Sequence, residues 1–194
     1  MVKISKYNLP PGDFGIWLVV YIELITFGLL FIGYAFARAG EIEIFNQSQL
    51  LLDQKLGFIN TLILLTSSYF VVKALEAVKK FDADVARKKA SRWLIYAMSL
   101  GALFLVIKIL EISDKYSQGI NLSTNTFFMF YIILIVFHFL HVVLGMIILF
   151  NVRQNVKAQM YSKDNFKGIE TGGVYWHLVD LLWIVLFPLV YIMR

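Results

Sequence analysis

Five stretches of the sequence are dominated by apolar side chains, and each one is long enough to cross a lipid bilayer. They cover residues 15–37, 57–75, 93–112, 126–152 and 173–193. A hydrocarbon core of about 30 Å requires about 20 helical residues. Because lipid offers no hydrogen-bond partner to an open backbone, each stretch is predicted to be an α-helix. The pattern therefore predicts an all-α, polytopic membrane protein that forms a bundle of five transmembrane helices.

The composition supports this prediction and limits the chemistry that the chain can perform. Hydrophobic residues make up 59% of the 194 residues and charged residues 16%, whereas soluble domains have about 45–50% and about 25%. The five spans use nearly all of the chain, so we expect residues 1–194 to form a single membrane domain. Cysteine is absent from the sequence, which excludes disulfide bonds, thiolate-ligated zinc, iron–sulfur clusters and covalently attached haem.

Lysine and arginine are distributed unequally over the two sides of the predicted bundle. Of the 18 basic residues, 13 lie at the N-terminus or in and beside the second and fourth connections. By the positive-inside rule, we expect the N-terminus in the cytoplasm and the C-terminus outside. The densest basic run, 79–92, is interpreted as a solvated loop, with a lipid-headgroup or partner patch as the alternative. The net charge is +5, but in a membrane protein the basic residues mainly determine orientation in the bilayer. This charge therefore does not indicate nucleic-acid binding, and we expect no nucleic-acid partner.

Ionisable side chains inside the predicted helices are costly, about 2.5–3.5 kcal/mol each near the bilayer centre, so each one needs a partner or a function. Counted at 1.5 Å per residue, four such groups on three helices lie roughly 6–16 Å from the cytoplasmic ends. These four are Glu23, His141, His177 and Asp180. Lys108 and Glu111 stand three residues apart and are expected to pair near the outer boundary.

Smaller residues in the spans are expected to join the helices. Hydroxyl and amide side chains in the second span should make interhelical hydrogen bonds, and glycines in the first and fourth spans should let helices approach closely. The first group consists of Asn60, Thr61, Thr66, Ser67 and Ser68, and the glycines are Gly28, Gly33 and Gly145.

Several functions could use the ionisable groups. We favour an intramembrane polar cluster that joins helices or holds a lipid headgroup, with the members Glu23, His138, His141, His177 and Asp180. Histidine and glutamate can also ligate metals or relay protons, so the alternatives are a small independent transporter or proton-conducting protein, and a metal or haem enzyme. We expect no metal site and no catalytic residue, because neither a di-iron carboxylate pattern nor a nucleophile–base pair is visible.

Five sequence blocks resemble subunit III of the haem–copper oxidases, the family of cytochrome c and quinol oxidase subunits III. The blocks are GIWLVVYIELITFGLLF around Glu23, NTLILLTSS from Asn60, KILEISDKYSQGI from Lys108, FHFLHVVLGM from Phe137 and YWHLVDLLWIVLFPLVY from Tyr175. They occur in the family's order, and the resemblance runs from about residue 11 to residue 194. Glu23 matches the buried glutamate of the family's first conserved helix. The family's late-helix signature is matched by His138, His141, Gly145, Trp176, His177, Asp180 and Trp183.

The resemblance implies a non-catalytic accessory subunit that docks on and stabilises a haem–copper terminal oxidase or a nitric oxide reductase. The implied partner is a haem-containing catalytic subunit, either subunit I or a NorB-like protein, in the bacterial cytoplasmic (inner) membrane. No redox cofactor of the chain's own is expected. The implied bound molecule is a phospholipid, with the contacts Arg92, Arg153, Trp176 and Trp183.

Within the family, five helices with this topology are most similar to quinol-oxidase subunit III and to the NorE-type accessory protein encoded beside nitric oxide reductase. The LFPLVYIMR ending favours the NorE type. Members with seven helices have two further helices before the one that Glu23 matches, and those two form one wall of a lipid cleft. We therefore expect no deep lipid cleft from this chain alone.

Overall fold

A computed structural model describes residues 10–193, and all regular structure in this part of the chain is helical. The elements are α1 (Phe14–Gly40), α2 (Ile42–Gln49), α3 (Gln54–Lys80), α4 (Ala83–Ser117), α5 (Thr126–Lys157), α6 (Lys167–Phe187) and a π-helical turn, Pro188–Ile192, that continues α6. Five of the helices, all except α2, are long and apolar enough to cross a membrane. The prediction of five spanning helices is confirmed, and the chain is a multi-pass membrane protein.

The spanning helices extend beyond the predicted apolar stretches, because polar side chains continue them outside the hydrocarbon. The longest, α4, covers Ala83–Ser117, whereas its apolar stretch is 93–112. Asp53 caps the N-terminus of α3 by accepting two backbone hydrogen bonds, and Asn125 Oδ1 accepts one from Phe128 N in α5 at 2.9 Å. The terminal basic residues that contribute to the predicted orientation, Lys3, Lys6 and Arg194, lie outside the described residues.

The short helix α2 is absent from the sequence prediction because it has only 8 residues and a mixed composition. It follows α1 after Glu41 and turns three side chains into the bundle: Phe45, Ser48 and Gln49. Gln49 Nε2 donates to the carbonyl of Val190 at 3.0 Å. The helix therefore joins the end of α1 to the π-helical turn.

Helix α6 occupies the centre of the bundle. It contacts α1, α3 and α5, while α3 also packs along α4, and α4 packs against α5. Within the described residues, helix α1 makes its main contacts with α2, α5 and α6. It buries four side chains: Ile16, Val20, Phe27 and Tyr34. Polar groups on α5 and α6 are thus the ones that can meet partners from α1 and α3.

Candidate functional site

Glu23 and His141 form a hydrogen-bonded pair between α1 and α5. Glu23 Oε2 lies 2.9 Å from His141 Nε2, and the two side chains are 22% and 10% exposed. The other ring nitrogen, Nδ1, lies 2.7 Å from the carbonyl oxygen of Phe137. A carbonyl oxygen only accepts, so Nδ1 must carry a proton. One proton is then shared between Nε2 and the carboxyl group, as an imidazolium beside a carboxylate or an imidazole beside a carboxylic acid.

Two aromatic rings pack against the imidazole of this pair. The imidazole of His141 meets the rings of Phe27 and Phe137 edge-on, with centroid distances of 5.3 and 4.7 Å. These rings cover the imidazole on its protein side. Local burial strengthens the hydrogen bond, because few water molecules can compete for its atoms.

His177 and Asp180 form a second polar group, on α6. Asp180 Oδ2 lies 3.4 Å from His177 Nδ1, and the Ser68 hydroxyl on α3 lies closer to the same nitrogen, at 2.7 Å. The side chain of His177 is half exposed, at 46%. No hydrogen bond within residues 10–193 links this group to Glu23 or His141. The four groups predicted to share one half of the bilayer therefore form two separate pairs.

His138 does not join either pair. It is 1% exposed, and neither of its ring nitrogens has a hydrogen-bond partner among the described residues. Its ring packs against Phe104 and Trp183, with centroid distances of 5.8 and 5.3 Å. The i, i+3 spacing between His138 and His141 places the two rings on neighbouring parts of one helix surface, but His138 faces the aromatic core. The prediction that His138 belongs to the polar cluster is therefore wrong, because its ring packs among aromatic side chains instead.

The expected lipid contacts at Trp176 and Trp183 are wrong, because both side chains are buried, with 0% and 1% exposure. Trp183 Nε1 donates to the Thr61 hydroxyl on α3 at 2.9 Å. Trp176 lies against Gly101 and Gly145, where an added Cβ would come within 2.9 and 2.8 Å of its ring. A fully buried indole offers no surface to lipid.

The two arginines expected to contact lipid lie on different helices. Arg92 lines an open cavity between α3 and α4. Arg153, on α5, is half-buried, and its Nε has no hydrogen-bond partner among the described residues. Lipid contact at these two positions stays a prediction.

The interhelical hydrogen bonds predicted for α3 are confirmed at three of the five positions. Ser67 Oγ donates to the carbonyl of Ala97 at 2.8 Å, and Thr61 and Ser68 make the contacts to α6 given above. Thr66 instead bonds to a carbonyl of its own helix. Asn60 is buried without a partner in the part of the chain that the structure describes.

A buried ion pair completed by two phenols lies near the other end of the bundle. The predicted pairing of Lys108 with Glu111 is confirmed, with Nζ 2.7 Å from Oε2 and side-chain exposures of 1% and 3%. Tyr191 donates to Glu111 Oε1 at 2.7 Å and accepts from Lys108 Nζ at 2.9 Å. Tyr131 also donates to Glu111 Oε1, at 3.1 Å. Each of the two charged side chains thus has at least two partners, as burial requires.

The phenols of Tyr131 and Tyr191 were not predicted from the sequence. Tyr191 lies in the π-helical turn, whose carbonyls accept hydrogen bonds from other helices: Gln54 Nε2 donates to the carbonyl of Tyr191 at 2.7 Å. The only sequence signal was indirect, since a Lys–Glu pair inside a span needs additional polar partners. Among residues 10–193, no group of three or more His, Asp or Glu side chains is arranged to hold a metal ion.

Comparisons with known proteins identify the family. Residues 13–194 match the family described as cytochrome c oxidase subunit III. The cytochrome c oxidase subunit 3 of Thermostichus vulcanus is 31% identical over 180 residues, which cover 92% of this chain and 86% of that protein. The probable quinol oxidase subunit 3 of Staphylococcus saprophyticus is 28% identical, covering 91% and 86%. The haem–copper oxidase subunit I+III of Aeropyrum pernix is 26% identical, covering 91% and 22%. With nearly its whole length matched, this chain belongs to the cytochrome c oxidase subunit III family.

Proposed function

We propose that this chain is the non-catalytic subunit III of a haem–copper terminal oxidase and docks on the catalytic subunit I in the bacterial cytoplasmic membrane. The observation that carries the proposal is the family match, which extends over residues 13–194 and so over all five spanning helices. The Aeropyrum relative is named subunit I+III, and the match occupies 22% of that longer chain. A relative that combines both subunits in its name supports contact with subunit I.

In this role the chain is a structural subunit that provides a docking surface for the catalytic subunit. Helix α1 buries only four side chains against the rest of the bundle, so apolar packing alone defines its position weakly. The Glu23–His141 bond gives α1 a fixed point on α5, because a hydrogen bond that involves a charged group is directional and strong, about 1.5–3 kcal/mol. A surface that is already ordered loses less entropy when it docks.

The experiment combines Glu23→Gln with His141→Ala in the complete oxidase. Loss of about 2 kcal/mol of hydrogen bonding should weaken the retention of this chain on the catalytic subunit by up to about 30-fold and lower sustained turnover. The amount of this chain per haem after affinity purification, and oxygen consumption over time, measure the two effects. Thr26→Val is the matched control on α1, because among the described residues the Thr26 hydroxyl bonds only to its own helix, at the carbonyl of Ile22. Unchanged retention and turnover in the double variant would contradict the proposed role.

The choice of catalytic partner is tested by purification in a mild detergent. The relatives described above are named as cytochrome c and quinol oxidase subunits, which favours a terminal oxidase over a NorB-like nitric oxide reductase subunit. We expect the haem protein that copurifies with this chain to reduce oxygen. A copurifying nitric oxide reductase would transfer the same accessory role to that enzyme and support the NorE-type assignment.

A phospholipid is the molecule that we propose to accompany the chain, with Arg92 and Arg153 as candidate contacts. The partnerless Nε of Arg153 supports this, since a phosphate oxygen is a suitable acceptor for a guanidinium group. Lipid extraction from the purified complex, followed by phosphate analysis, should find phospholipid that survives extensive detergent washing. Vesicles that contain this chain alone and nonetheless move protons or solutes would favour an independent transporter instead.

A further inference from the structure

An open groove runs along the outside of the bundle between α3 and α6. Each helix contributes a stripe of exposed side chains, which recur every seven residues on α3 and after four and then three residues on α6. These six residues form the α3/α6 groove: Phe58, Leu65 and Val72 on α3, and His177, Leu181 and Ile184 on α6. Val72 and His177 line one cavity, so the two stripes lie side by side. Such spacings are typical of the seam along which one helix packs against another.

The groove is apolar except for His177. Of the acidic, basic and histidine side chains in the five apolar stretches, only that of His177 is exposed, at 46%. Its Nδ1 lies near Ser68 and Asp180, whereas no hydrogen bond within residues 10–193 involves Nε2. His177 lies about 10 Å along α6 from Glu170, which forms an ion pair with Lys79 at the polar end of the helix. Since lipid chains offer Nε2 no hydrogen-bond partner, an exposed imidazole at this depth indicates contact with another protein.

A small cavity beside His177 has room for one side chain. Its volume is about 120 Å³, and its walls are mainly aliphatic, with Val71 and Val72 from α3 and Val174 from α6. Gly173 also lines it and keeps it open, because an added Cβ would meet only Val71, at 3.6 Å. An apolar cavity of about 150 Å³ holds a benzene ring, so this one can accept a single aliphatic side chain. Side chains that fill such pockets contribute most of the binding energy at protein interfaces.

We infer that a transmembrane helix of the catalytic subunit lies in the α3/α6 groove, with an apolar side chain in the cavity and a polar side chain hydrogen-bonded to His177 Nε2. The inference rests on the proposed function and names the surface through which the chain docks. A lipid acyl chain would cover the apolar residues but leave Nε2 without a partner. Helices α4 and α5 expose no acidic, basic or histidine side chain within their apolar stretches, so lipid can cover their outer faces.

Photo-crosslinking in the membrane tests which face meets the catalytic subunit. The photoreactive residue p-benzoylphenylalanine replaces one leucine at a time in the complete oxidase. Leu65 and Leu181 are the groove positions, and Leu103 on α4 and Leu144 on α5 are the controls. All four leucines are similarly exposed, between 41% and 48%. We expect illumination to join the groove positions to the haem-containing subunit I and the control positions only to lipid.

Two substitutions test the cavity and the hydrogen bond separately. Gly173→Leu fills the cavity from within this chain and should reduce retention on the catalytic subunit by about tenfold or more, because it excludes the partner's side chain. His177→Leu should reduce retention by up to about tenfold, and His177→Gln, whose amide can still hydrogen-bond, should restore most of it. The amount of this chain per haem after affinity purification measures retention.

The control for added bulk is Gly15→Leu, at the start of α1, where a Cβ would meet nothing within 4 Å. This variant should keep its full retention. Thermal unfolding midpoints of the isolated variants distinguish a docking defect from a folding defect, and we expect Gly173→Leu to unfold close to the parent chain.

Four results would overturn the inference and leave the proposed function intact. These are crosslinks to subunit I from the control leucines instead of the groove, crosslinks from the groove only to lipid or to a second copy of this chain, full retention of both Gly173→Leu and His177→Leu, and an equal loss of retention in Gly15→Leu. A chain that copurifies with no haem protein would overturn the proposed function, and this inference with it.

Discussion

Trp176 fits into the bundle because two neighbouring helices lack a side chain where its indole lies. Gly101 on α4 and Gly145 on α5 face the ring from different helices, and an added Cβ at either position would come closer than 3.0 Å to it. The prediction that glycines allow close approach is thus confirmed for Gly145. It is wrong for Gly28 within this chain, because a Cβ there would meet nothing within 4 Å.

Gly145→Ala should destabilise the protein by about 1–3 kcal/mol, because the added methyl group overlaps a ring that has no free space to move into. The thermal unfolding midpoint of the detergent-solubilised chain measures the effect. Gly28→Ala is the matched control in another spanning helix and should be unchanged or slightly more stable, since alanine favours helix by about 1 kcal/mol over glycine. Equal destabilisation by both changes would exclude the steric explanation.

Contacts between individual residues were predictable from the sequence only where helical spacing and depth in the bilayer left few possible partners. The depth estimate placed Glu23 and His141 in the same half of the bilayer, and the structure brings them within hydrogen-bond distance. The orientation of His138 toward Phe104 was not predictable, because a neighbouring turn of the same helix can face either a partner or the core. Rotation of α5 about its axis decides this, and periodicity does not determine that rotation closely enough.

At the level of elements, the Lys108–Glu111 pair connects three parts of the fold. The pair itself lies on α4, Tyr131 contributes from α5, and Tyr191 contributes from the π-helical turn. Lys108 Nζ also lies 4.6 Å from the ring centroid of Trp183 on α6. Breaking this network should therefore loosen the end of α6 from α4 and α5.

Lys108→Met should destabilise the bundle by about 3–5 kcal/mol, because it leaves the Glu111 carboxylate buried without its cation. The double variant Lys108→Met with Glu111→Gln should recover most of that loss, since the amide oxygen still accepts from Tyr131 and Tyr191 and no charge remains. Thermal unfolding of both variants and the parent chain provides the comparison. A double variant no more stable than Lys108→Met would show that the lysine acts through packing rather than charge.

The long helices were predictable from hydropathy, whereas the small elements were not. Helix α2 has too few apolar residues to be recognised, and its inward polar side chains find partners far away in the sequence: Gln49 in the π-helical turn and Ser48 at Asn125. That turn follows from Pro188, which lacks a backbone N–H and so interrupts the regular hydrogen bonding of α6. The carbonyls of Val190 and Tyr191 lie at the C-terminal end of this turn, where a helix leaves carbonyls unpaired, and they accept from Gln49 and Gln54, far away in the sequence.

At the scale of the whole molecule, the asymmetry of basic residues predicts how the bundle sits in the membrane. The helix ends on either side of the connections after α3 and α5 are rich in lysine and arginine, and ion pairs join the two regions, for example Lys163 with Asp82 at 2.9 Å. The connection between α4 and α5 lies at the opposite end and is poor in basic residues. The positive-inside rule therefore assigns the first two connections to the cytoplasm.

Because the chain has no cysteine, single cysteines can report this orientation without background. Ser117→Cys, at the exposed end of α4, should react with a membrane-impermeant maleimide in intact cells, whereas Asp164→Cys, in the exposed connection before α6, should react only after permeabilisation. Gel-shift labelling distinguishes the two cases. Reaction of Asp164→Cys alone in intact cells would reverse the predicted orientation.

The single proton held between Glu23 and His141 has an electrical consequence for the bundle. Whether the proton resides on the carboxyl oxygen or on Nε2, the pair as a whole carries zero net charge, given the proton fixed on Nδ1. A dipole of this kind avoids most of the solvation penalty that a lone ion suffers in hydrocarbon. The transmembrane voltage exerts no net force on it, so α1 and α5 can remain joined while the membrane is energised.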